Sequence, residues 1–317
     1  MIDALLIMLK NVAVFVLLAV PGVLVVKTKL LKTENSAVLS KVLLYLGMPF
    51  LILNSTLSVS FDADLLKLVA VSALIGIVFT MLCVFLSKPA TGMEKSAQTQ
   101  GMMRFCSVFT NNGFLGIPLA AAVFPDRPWV TTSLIVINII TNAIMYTVGV
   151  FLITGDKSRV SAKKAVFNPV LIAFFIGLLF NVLGVKTYVP EISTYAGYLG
   201  GLVTPLSMII LGMKLGGVNI LKIFTSWKTY YVAALKLIVV PAIIVAVAFM
   251  FRNAFVFGDD LILGVFIAFA LPTAALATTF ADSFGGDEKN AVSFTLGTTI
   301  LSIATIPLLY WLLLALL

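Results

Sequence analysis

The stretch FTNNGFLGIPL, residues 109–119, places five helix-weakening residues inside a strongly apolar part of the chain. These residues are two adjacent asparagines, two glycines and a proline. A helix broken in hydrocarbon leaves backbone N–H and C=O groups without hydrogen bonds unless protein or a water-filled cavity supplies partners. The stretch therefore predicts either a helix interruption at a functional site or a set of small residues that pack against another helix.

The composition around this stretch is that of a membrane protein. Of 317 residues, 61% are hydrophobic and 11% are charged, whereas a soluble domain carries about 25% charged residues. Such a chain cannot present a wet surface all round, so we predict an all-α integral membrane protein. The sequence has no histidine and no P-loop, which argues against His-based catalysis, His-ligated metals and a built-in ATP motor. We expect neither an enzyme nor a bound cofactor or metal.

Ten apolar stretches are long enough to cross about 30 Å of hydrocarbon, which takes about 20 helical residues. They cover residues 4–26, 38–59, 65–87, 101–124, 129–154, 165–184, 195–216, 229–251, 260–284 and 290–316, and we call them spans 1 to 10. Span 1 is expected to be a membrane helix and not a cleavable signal, because no basic leader precedes it. The short connections leave no room for a soluble domain.

The basic residues orient these spans. Fifteen Lys and Arg residues lie in the loops after spans 1, 3, 5, 7 and 9, and five lie on the opposite side. The positive-inside rule then predicts a protein of the cell membrane with both termini outside. Topology also explains the net charge of +8, so we expect no nucleic-acid partner. Lys10 and Lys236 lie less than two turns inside spans 1 and 8, from which both side chains are expected to snorkel to the interface.

Spans 2 and 7 resemble each other in sequence. LGMPFLILNSTLS (residues 46–58) and LVTPLSMIILGMKLG (residues 202–216) each have a proline in the first half, Pro49 or Pro205, followed by small or polar residues. The same holds for spans 4 and 9, since FALPTAALATTFADSF (residues 269–284) is also interrupted near the middle of its span.

This repetition predicts the architecture. The repeats correspond to residues 1–155 and 165–317, with a cytoplasmic linker at 156–164. Each contains five spans, and because five is odd the second repeat enters the membrane from the other side. We therefore predict ten transmembrane helices arranged as two inverted five-helix repeats.

The two interruptions lie at matching depths in the repeats. Asn112 is about ten residues, or ~15 Å, from the cytoplasmic start of span 4, and Pro272 is about as deep in span 9. Paired interruptions of this kind are the best sequence indication of a transporter's binding site, and the helix N-termini freed there favour an anion. No acidic residue lies near the midplane, so the coupling ion stays open. Asp282 could contact a cation or cap the connection to span 10, and we favour the cap.

We predict a substrate site formed by both interruptions. The candidate substrate-binding residues are Thr110, Asn111, Asn112, Gly113, Gly116, Pro272 and Thr273, with Asn54 and Ser207 from spans 2 and 7. The candidate crossover or hinge residues are Pro118, Pro272, Pro49 and Pro205.

Five short motifs along the chain indicate a family. They are Asn112 with Gly116-Ile117-Pro118-Leu119 in span 4, Ala270-Leu271-Pro272 in span 9, Pro205 with Leu211-Gly212-Met213-Lys214-Leu215 in span 7, Asn168-Pro169 opening span 6, and Ile306-Pro307-Leu308 in span 10. With them the whole chain resembles the auxin efflux carrier family, which includes the plant PIN carriers and bacterial malate or malonate permease-like proteins.

The resemblance implies a PIN-like fold, similar to that of the bile acid–sodium symporters. In that fold spans 4 and 9 cross where they are unwound, spans 1, 2, 6 and 7 form a scaffold, transport is elevator-like, and homodimers are common. Two features depart from the plant members. Asn111 stands where they tend to have proline, so the first interruption is expected to be less rigid and more hydrogen-bonding. Their long cytoplasmic loop is also missing, so we expect neither plant-type loop regulation nor an auxin substrate.

The sequence thus predicts a secondary carrier, an exporter or permease, for a small organic anion such as a carboxylate. A channel and a membrane-embedded ligand sensor on the same fold are the alternatives. A channel would need a continuous polar path, whereas polarity here is concentrated at one depth.

Overall fold

The computed structural model describes residues 2–59, 62–156, 158, 169–250 and 258–316, and every regular element in these ranges is a helix. Apart from two four-residue helices, Val185–Tyr188 and Ile220–Ile223, the helices in chain order are α1 (Ile2–Lys27), α2 (Thr33–Leu57), α3 (Ala63–Ala90), α4 (Ala97–Val108), α5 (Asn112–Val123), α6 (Pro128–Thr154), α7 (Pro169–Val182), α8 (Glu191–Gly216), α9 (Trp227–Ala234 continuing through Val240–Met250), α10 (Gly258–Ala270), α11 (Ala277–Phe284) and α12 (Glu288–Leu316). Most of the linker at 156–164 lies outside the described residues, as do Asn168 and Arg252.

Six of these helices are long and apolar enough to cross a membrane, namely α2, α3, α6, α8, α9 and α12. The expectation of an all-helical membrane protein is therefore confirmed. The other expected spans fall on α1, on α7 and on the pairs α4–α5 and α10–α11, whose members are shorter. The number ten and the inverted repeat stay predictions.

Four helices contain a wide, π-helical turn within the part of the chain that the structure describes. The turns are Leu43–Gly47 in α2, Asn112–Gly116 in α5, Met145–Gly149 in α6 and Leu235–Val239 in α9. Pro49, Pro118 and Pro241 each follow such a turn two residues after its end. A proline inside a helix has no N–H and its ring collides with the carbonyl four residues before it, and a wider turn relieves both conflicts. Pro205 instead follows a break at Leu202.

Helices α1, α2, α7 and α8 form one group that packs through glycines. A Cβ atom on Gly212 of α8 would lie 1.9 Å from the carbonyl oxygen of Ala19 in α1. One on Gly177 of α7 would lie 2.0 Å from Oγ1 of Thr56 in α2. Such distances leave room for hydrogen only, so the backbones of this first group touch and their relative positions are fixed.

Helices α3–α6 and α9–α12 form a second group that uses the same packing. A Cβ atom on Gly264 of α10 would lie 2.0 Å from Oγ of Ser133 in α6, and one on Gly101 of α4 would lie 2.5 Å from a carbonyl oxygen of α6. Between the groups, the closest such approach among the described residues joins Gly113 of α5 to Cε of Met48 in α2, at an ordinary contact distance of 3.8 Å. The close glycine contacts therefore lie within each group, and the two groups also pack against each other where α1 meets α12 and α5.

Candidate functional site

The backbones of the two interrupted segments pair with each other inside the second group. They form an antiparallel bridge between Thr110, which lies between α4 and α5, and Thr273, which lies between α10 and α11. The N–H of Asn111 donates to the carbonyl of Pro272 at 2.9 Å, and a second bond of 2.9 Å closes the bridge on its other side. Groups that each helix break frees are therefore satisfied by the other break, which is how unwound backbone is tolerated at membrane depth.

Thr273 stabilises this crossing through two hydrogen bonds. Its hydroxyl donates to the carbonyl of Cys106 in the last turn of α4 at 2.7 Å, and its N–H donates to Oγ1 of Thr298 in α12 at 3.2 Å. The residue is fully buried. Thr273 and Pro272, both predicted to bind substrate, thus join α4 to α10–α12 and do not line the cavity described next.

A cavity of about 300 Å³ lies beside the crossing, on the boundary between the two helix groups. The second group contributes the polar side chains Thr110, Asn111, Asn138, Asn142 and Tyr146, and the first group contributes Tyr45. Apolar residues such as Met48 and Val170 complete the wall. None of the described residues that line the cavity is charged. A volume of this size holds a small organic molecule, which the amide and hydroxyl groups can hydrogen-bond.

Asn112 follows the lining residue Asn111, lies outside the cavity wall and has an unsatisfied amide. The residue is 1% exposed, and among the described residues neither Oδ1 nor Nδ2 has a hydrogen-bond partner. Nδ2 of Asn138 is also unpaired in the described part of the protein, while its Oδ1 accepts from Asn142 at 3.2 Å. A buried polar group left unpaired costs about 1–3 kcal/mol. Asn138 lines the cavity, so a polar ligand there would remove its part of this cost, whereas Asn112 lies outside the wall.

Two helices begin at the cavity. Helix α5 starts at Asn112 and α11 at Ala277, and in the described chain neither start has a side-chain cap. Ala274 and Ala275, just before α11, belong to the cavity wall. Free N–H groups and the helix dipole at such starts favour a negative charge by roughly 0.3–1 kcal/mol each. The site therefore has hydrogen-bond donors and a positive potential without a charged lining residue.

Lys236 of α9 is fully buried, so the expectation that its side chain snorkels to the interface is wrong. Nζ donates to the carbonyl of Val108 at 3.2 Å and to Oγ1 of Thr110 at 2.5 Å. The break after α4 leaves the carbonyl of Val108 free at the negative end of the helix, and this acceptor offsets the cost of burying an ammonium. Lys10, by contrast, is exposed.

The remaining predicted site residues lie in different places. Gly113 lines the cavity, whereas Gly116 packs against α10, since a Cβ atom there would lie 2.6 Å from Cδ1 of Leu271. Ser207 is buried and its hydroxyl donates to Thr204 in its own helix at 2.9 Å. Neither Ser207 nor the half-buried Asn54 belongs to the cavity wall.

The acidic residue that caps α12 is not the one that we expected. Asp282 is exposed, and the residue that caps α12 is Asp287, whose Oδ1 accepts from the N–H of Asn290 at 3.1 Å. The other oxygen of Asp287 accepts from Thr99 at the start of α4 at 2.7 Å. The cap that we favoured at Asp282 lies five residues further on, where a side chain can reach the first N–H groups of α12.

Asn138, Asn142 and Lys236 are the functional candidates that sequence reasoning missed. The two asparagines are four residues apart in an apolar helix, which places them on one face, and this spacing was a usable signal. Lys236 is the one basic residue of 21 that lies in neither set of loops, which was a signal as well. The sequence gives no comparable signal for Tyr45, because an aromatic residue in a membrane helix is ordinary.

The chain matches a known protein family over nearly its whole length. The family model described as membrane transport protein matches residues 6–310. The chain belongs to this family. That assignment confirms the resemblance drawn from the motifs of α5, α8 and α10. The candidate site therefore lies in a member of this family of membrane transport proteins.

Two archaeal relatives are similar along most of their length. A protein of Methanothermobacter thermautotrophicus named an uncharacterized transporter is 30% identical over 282 residues, which cover 87% of this chain and 88% of the relative. Another of that description, from Methanocaldococcus jannaschii, is 25% identical over 292 residues, covering 90% and 92%. Family and relatives together indicate a membrane transporter.

Proposed function

We propose that this protein is a secondary transporter that moves a small organic anion across the cell membrane by elevator-type alternating access. The observation that carries the proposal is the cavity at the crossing, which lies between two helix groups, is lined by the unpaired amide of Asn138 and faces two uncapped helix N-termini. A carboxylate would satisfy these donors and the helix dipoles together.

The architecture belongs to the same proposal. The ten spans form two inverted repeats, residues 1–155 and 165–317, in which α4–α5 and α10–α11 are the interrupted spans 4 and 9. Both chain termini lie outside the cell, and the carrier assembles as a homodimer in the lipid bilayer. The support comes from the helix positions and from the bridge between the two interruptions.

The packing of the helices supports an elevator. Each group is fixed internally by glycine contacts that no larger residue fits, whereas Gly113, at the boundary between the groups, has ordinary van der Waals spacing to Met48. Rigid-body sliding needs stiff units and a smooth boundary between them. We propose that the first group (α1, α2, α7 and α8) is the static scaffold and that the second carries the substrate.

We propose that the cavity opens toward the side of the linker. Its wall includes Tyr146 in the last third of α6 and Pro169 at the first residue of α7, together with Leu44 and Tyr45 from the middle of α2. The end of α6 and the start of α7 flank the loop that the positive-inside rule assigns to the cytoplasm. The conformation is then inward-open, ready to take an anion from the cytoplasm. Export of a monoanion would gain ~2.3 kcal/mol per 100 mV of inside-negative potential.

Reconstitution into liposomes tests this function. We expect flux of a radiolabelled carboxylate that saturates with concentration and is accelerated by unlabelled substrate on the opposite side. Single-channel currents without saturation would support the alternative of a channel. Ligand-induced thermal stabilisation without any flux would support a sensor. A thermal-shift screen of monocarboxylates, dicarboxylates and indole acids on the purified protein selects the compounds for the flux assay.

A further inference from the structure

Lys236 is a fully buried lysine that contacts the first interrupted segment. Among the described residues no Asp or Glu forms an ion pair with it, and its two hydrogen-bond acceptors are the carbonyl of Val108 and the hydroxyl of Thr110. A lysine that only filled space would be replaced by an apolar residue of similar size at a gain, since burying an unpaired ammonium costs several kcal/mol. Its uncompensated charge calls for a negative partner.

Thr110 connects this charge to the cavity. Its Oγ1 accepts from Nζ of Lys236 at 2.5 Å, and the same residue lines the cavity wall. A hydroxyl that accepts from an ammonium keeps its own proton free to donate elsewhere, and the neighbouring charge polarises that O–H bond. A ligand atom in the cavity can therefore receive a charge-assisted hydrogen bond from Thr110 while the ammonium stays behind the wall.

From this arrangement we infer that Lys236 is the positive charge of the substrate site, acts through Thr110 as a positioning residue, and selects a monoanion. The site then holds one positive charge and, among the described residues, no acid, so one negative charge on the ligand leaves it neutral. A dianion would leave one charge uncompensated in a medium of low dielectric, and a neutral analogue would leave the lysine uncompensated. This inference rests on the proposed function and narrows its substrate class to monocarboxylates.

Binding to the purified protein in detergent tests the charge count directly. The probes are two matched sets, butyrate with butyramide and succinate, and phenylacetate with phenylacetamide and phenylmalonate. We expect the monoanion of at least one set to bind at least about tenfold more tightly than its amide and its dianion, measured by concentration-dependent thermal shift. Tighter binding of the dianion, or equal binding of acid and amide, would overturn the inference.

The variant Lys236→Met keeps the length of the side chain and removes its charge. We expect the preference for acid over amide to fall to less than about threefold, whereas a lysine with a merely structural role would change the affinities for acid and amide by the same factor. Lys214→Met is the control, because Lys214 is another lysine of a membrane helix, partly buried, that lies outside the cavity wall. That control should keep the wild-type preference, and its loss there would overturn the inference.

A measurement on the wild type alone covers the case in which Lys236→Met does not fold. A monoanion bound beside one lysine gives a loaded site of zero net charge, so exchange of labelled for unlabelled monoanion should change by less than about twofold when a potential of 100 mV is imposed. A severalfold change would overturn the inference. Binding without any flux would instead count against the proposed transport function while leaving the binding preferences to decide the role of Lys236.

Discussion

The two interrupted segments that cross in the second helix group differ in what they offer to a ligand. The first, residues 109–112, places the side chains of Thr110 and Asn111 in the cavity wall, and its Asn112 holds an unsatisfied amide outside that wall. The second, residues 271–276, contributes only small and apolar side chains to the wall, and its one hydroxyl, on Thr273, is used to hold α4.

The two helix breaks are similar in sequence but differ in the roles that we propose for them. In the proposed function the first segment recognises the anion through side chains, whereas the second supplies a helix start and a stable partner for the backbone bridge. Asn111 shows the distinction in one residue, because its N–H pairs with the second segment while its side chain lies in the cavity wall. Substitutions in the first segment should therefore change transport, and substitutions in the second should change stability.

Asn112→Ala should have the largest effect on transport. The substitution removes the unpaired amide that the proposed function assigns to the substrate, although this amide lies outside the cavity wall in the described conformation. We predict a loss of at least about 100-fold in carboxylate flux, consistent with removal of hydrogen bonds to a charged group. Because the amide is unpaired in the described part of the protein, its removal should not lower the melting temperature. Flux into liposomes and thermal unfolding in detergent measure the two effects.

Asn54→Ala is the control for that substitution, since Asn54 is a half-buried asparagine outside the cavity wall. It should keep wild-type flux. Wild-type transport by purified Asn112→Ala would show that the site is assigned wrongly.

Thr273→Val should have the opposite signature. Loss of the 2.7 Å bond leaves the buried carbonyl of Cys106 without this donor, which we expect to cost about 1–3 kcal/mol of stability. The apparent substrate affinity should stay within about twofold of wild type, because the side chain is outside the cavity. Thermal unfolding and the concentration dependence of flux separate these effects. A stable variant with weak binding would return Thr273 to the list of substrate ligands.

The sequence allowed much of this comparison to be predicted, for physical reasons. Hydrocarbon imposes helix length and forbids unpaired backbone, so the spans and both interruptions are visible as apolar runs and as clusters of Asn, Gly and Pro. The family assignment followed from the same residues and is confirmed. The rotation of the short interrupted segments decides which of their residues line the cavity. That rotation cannot be derived from the sequence.

Lys236 shows why the rest could not be predicted. Counted along the helix it lies near an end, and a lysine there ordinarily extends to the interface. Its actual direction depends on the π-helical turn Leu235–Val239 and on a free carbonyl supplied by α4, 128 residues away in sequence. Both are tertiary features. Asn138 and Asn142 could have been found from their spacing, but their cavity exists only where α6 meets α2 and α7.

Asn138→Ala tests whether recognition extends from the first segment to α6. The amide lines the cavity and its Nδ2 is unpaired among the described residues, so we expect the apparent affinity for the transported anion to weaken by about 5- to 20-fold, the equivalent of one hydrogen bond. Asn142→Ala should weaken it less, since the Asn142 amide already donates to Asn138. Competition between labelled and unlabelled substrate measures both. Unchanged affinity in both variants would confine recognition to the first segment.

Ala275→Cys should change transport least and so reports on access to the second segment. The position lies in the cavity wall, and the native Cys83 and Cys106 are buried, so a membrane-impermeant maleimide should label the new thiol almost alone. In the described conformation the reagent should react from the cytoplasmic side and be slowed by bound substrate. In an elevator, labelling from the outside should also occur, at a rate that rises when cytoplasmic substrate drives the second group across the membrane. Labelling from the cytoplasmic side alone under all conditions would contradict alternating access. In an elevator the second segment, whose side chains in the wall are only small and apolar, must still move together with the side chains that recognise the anion.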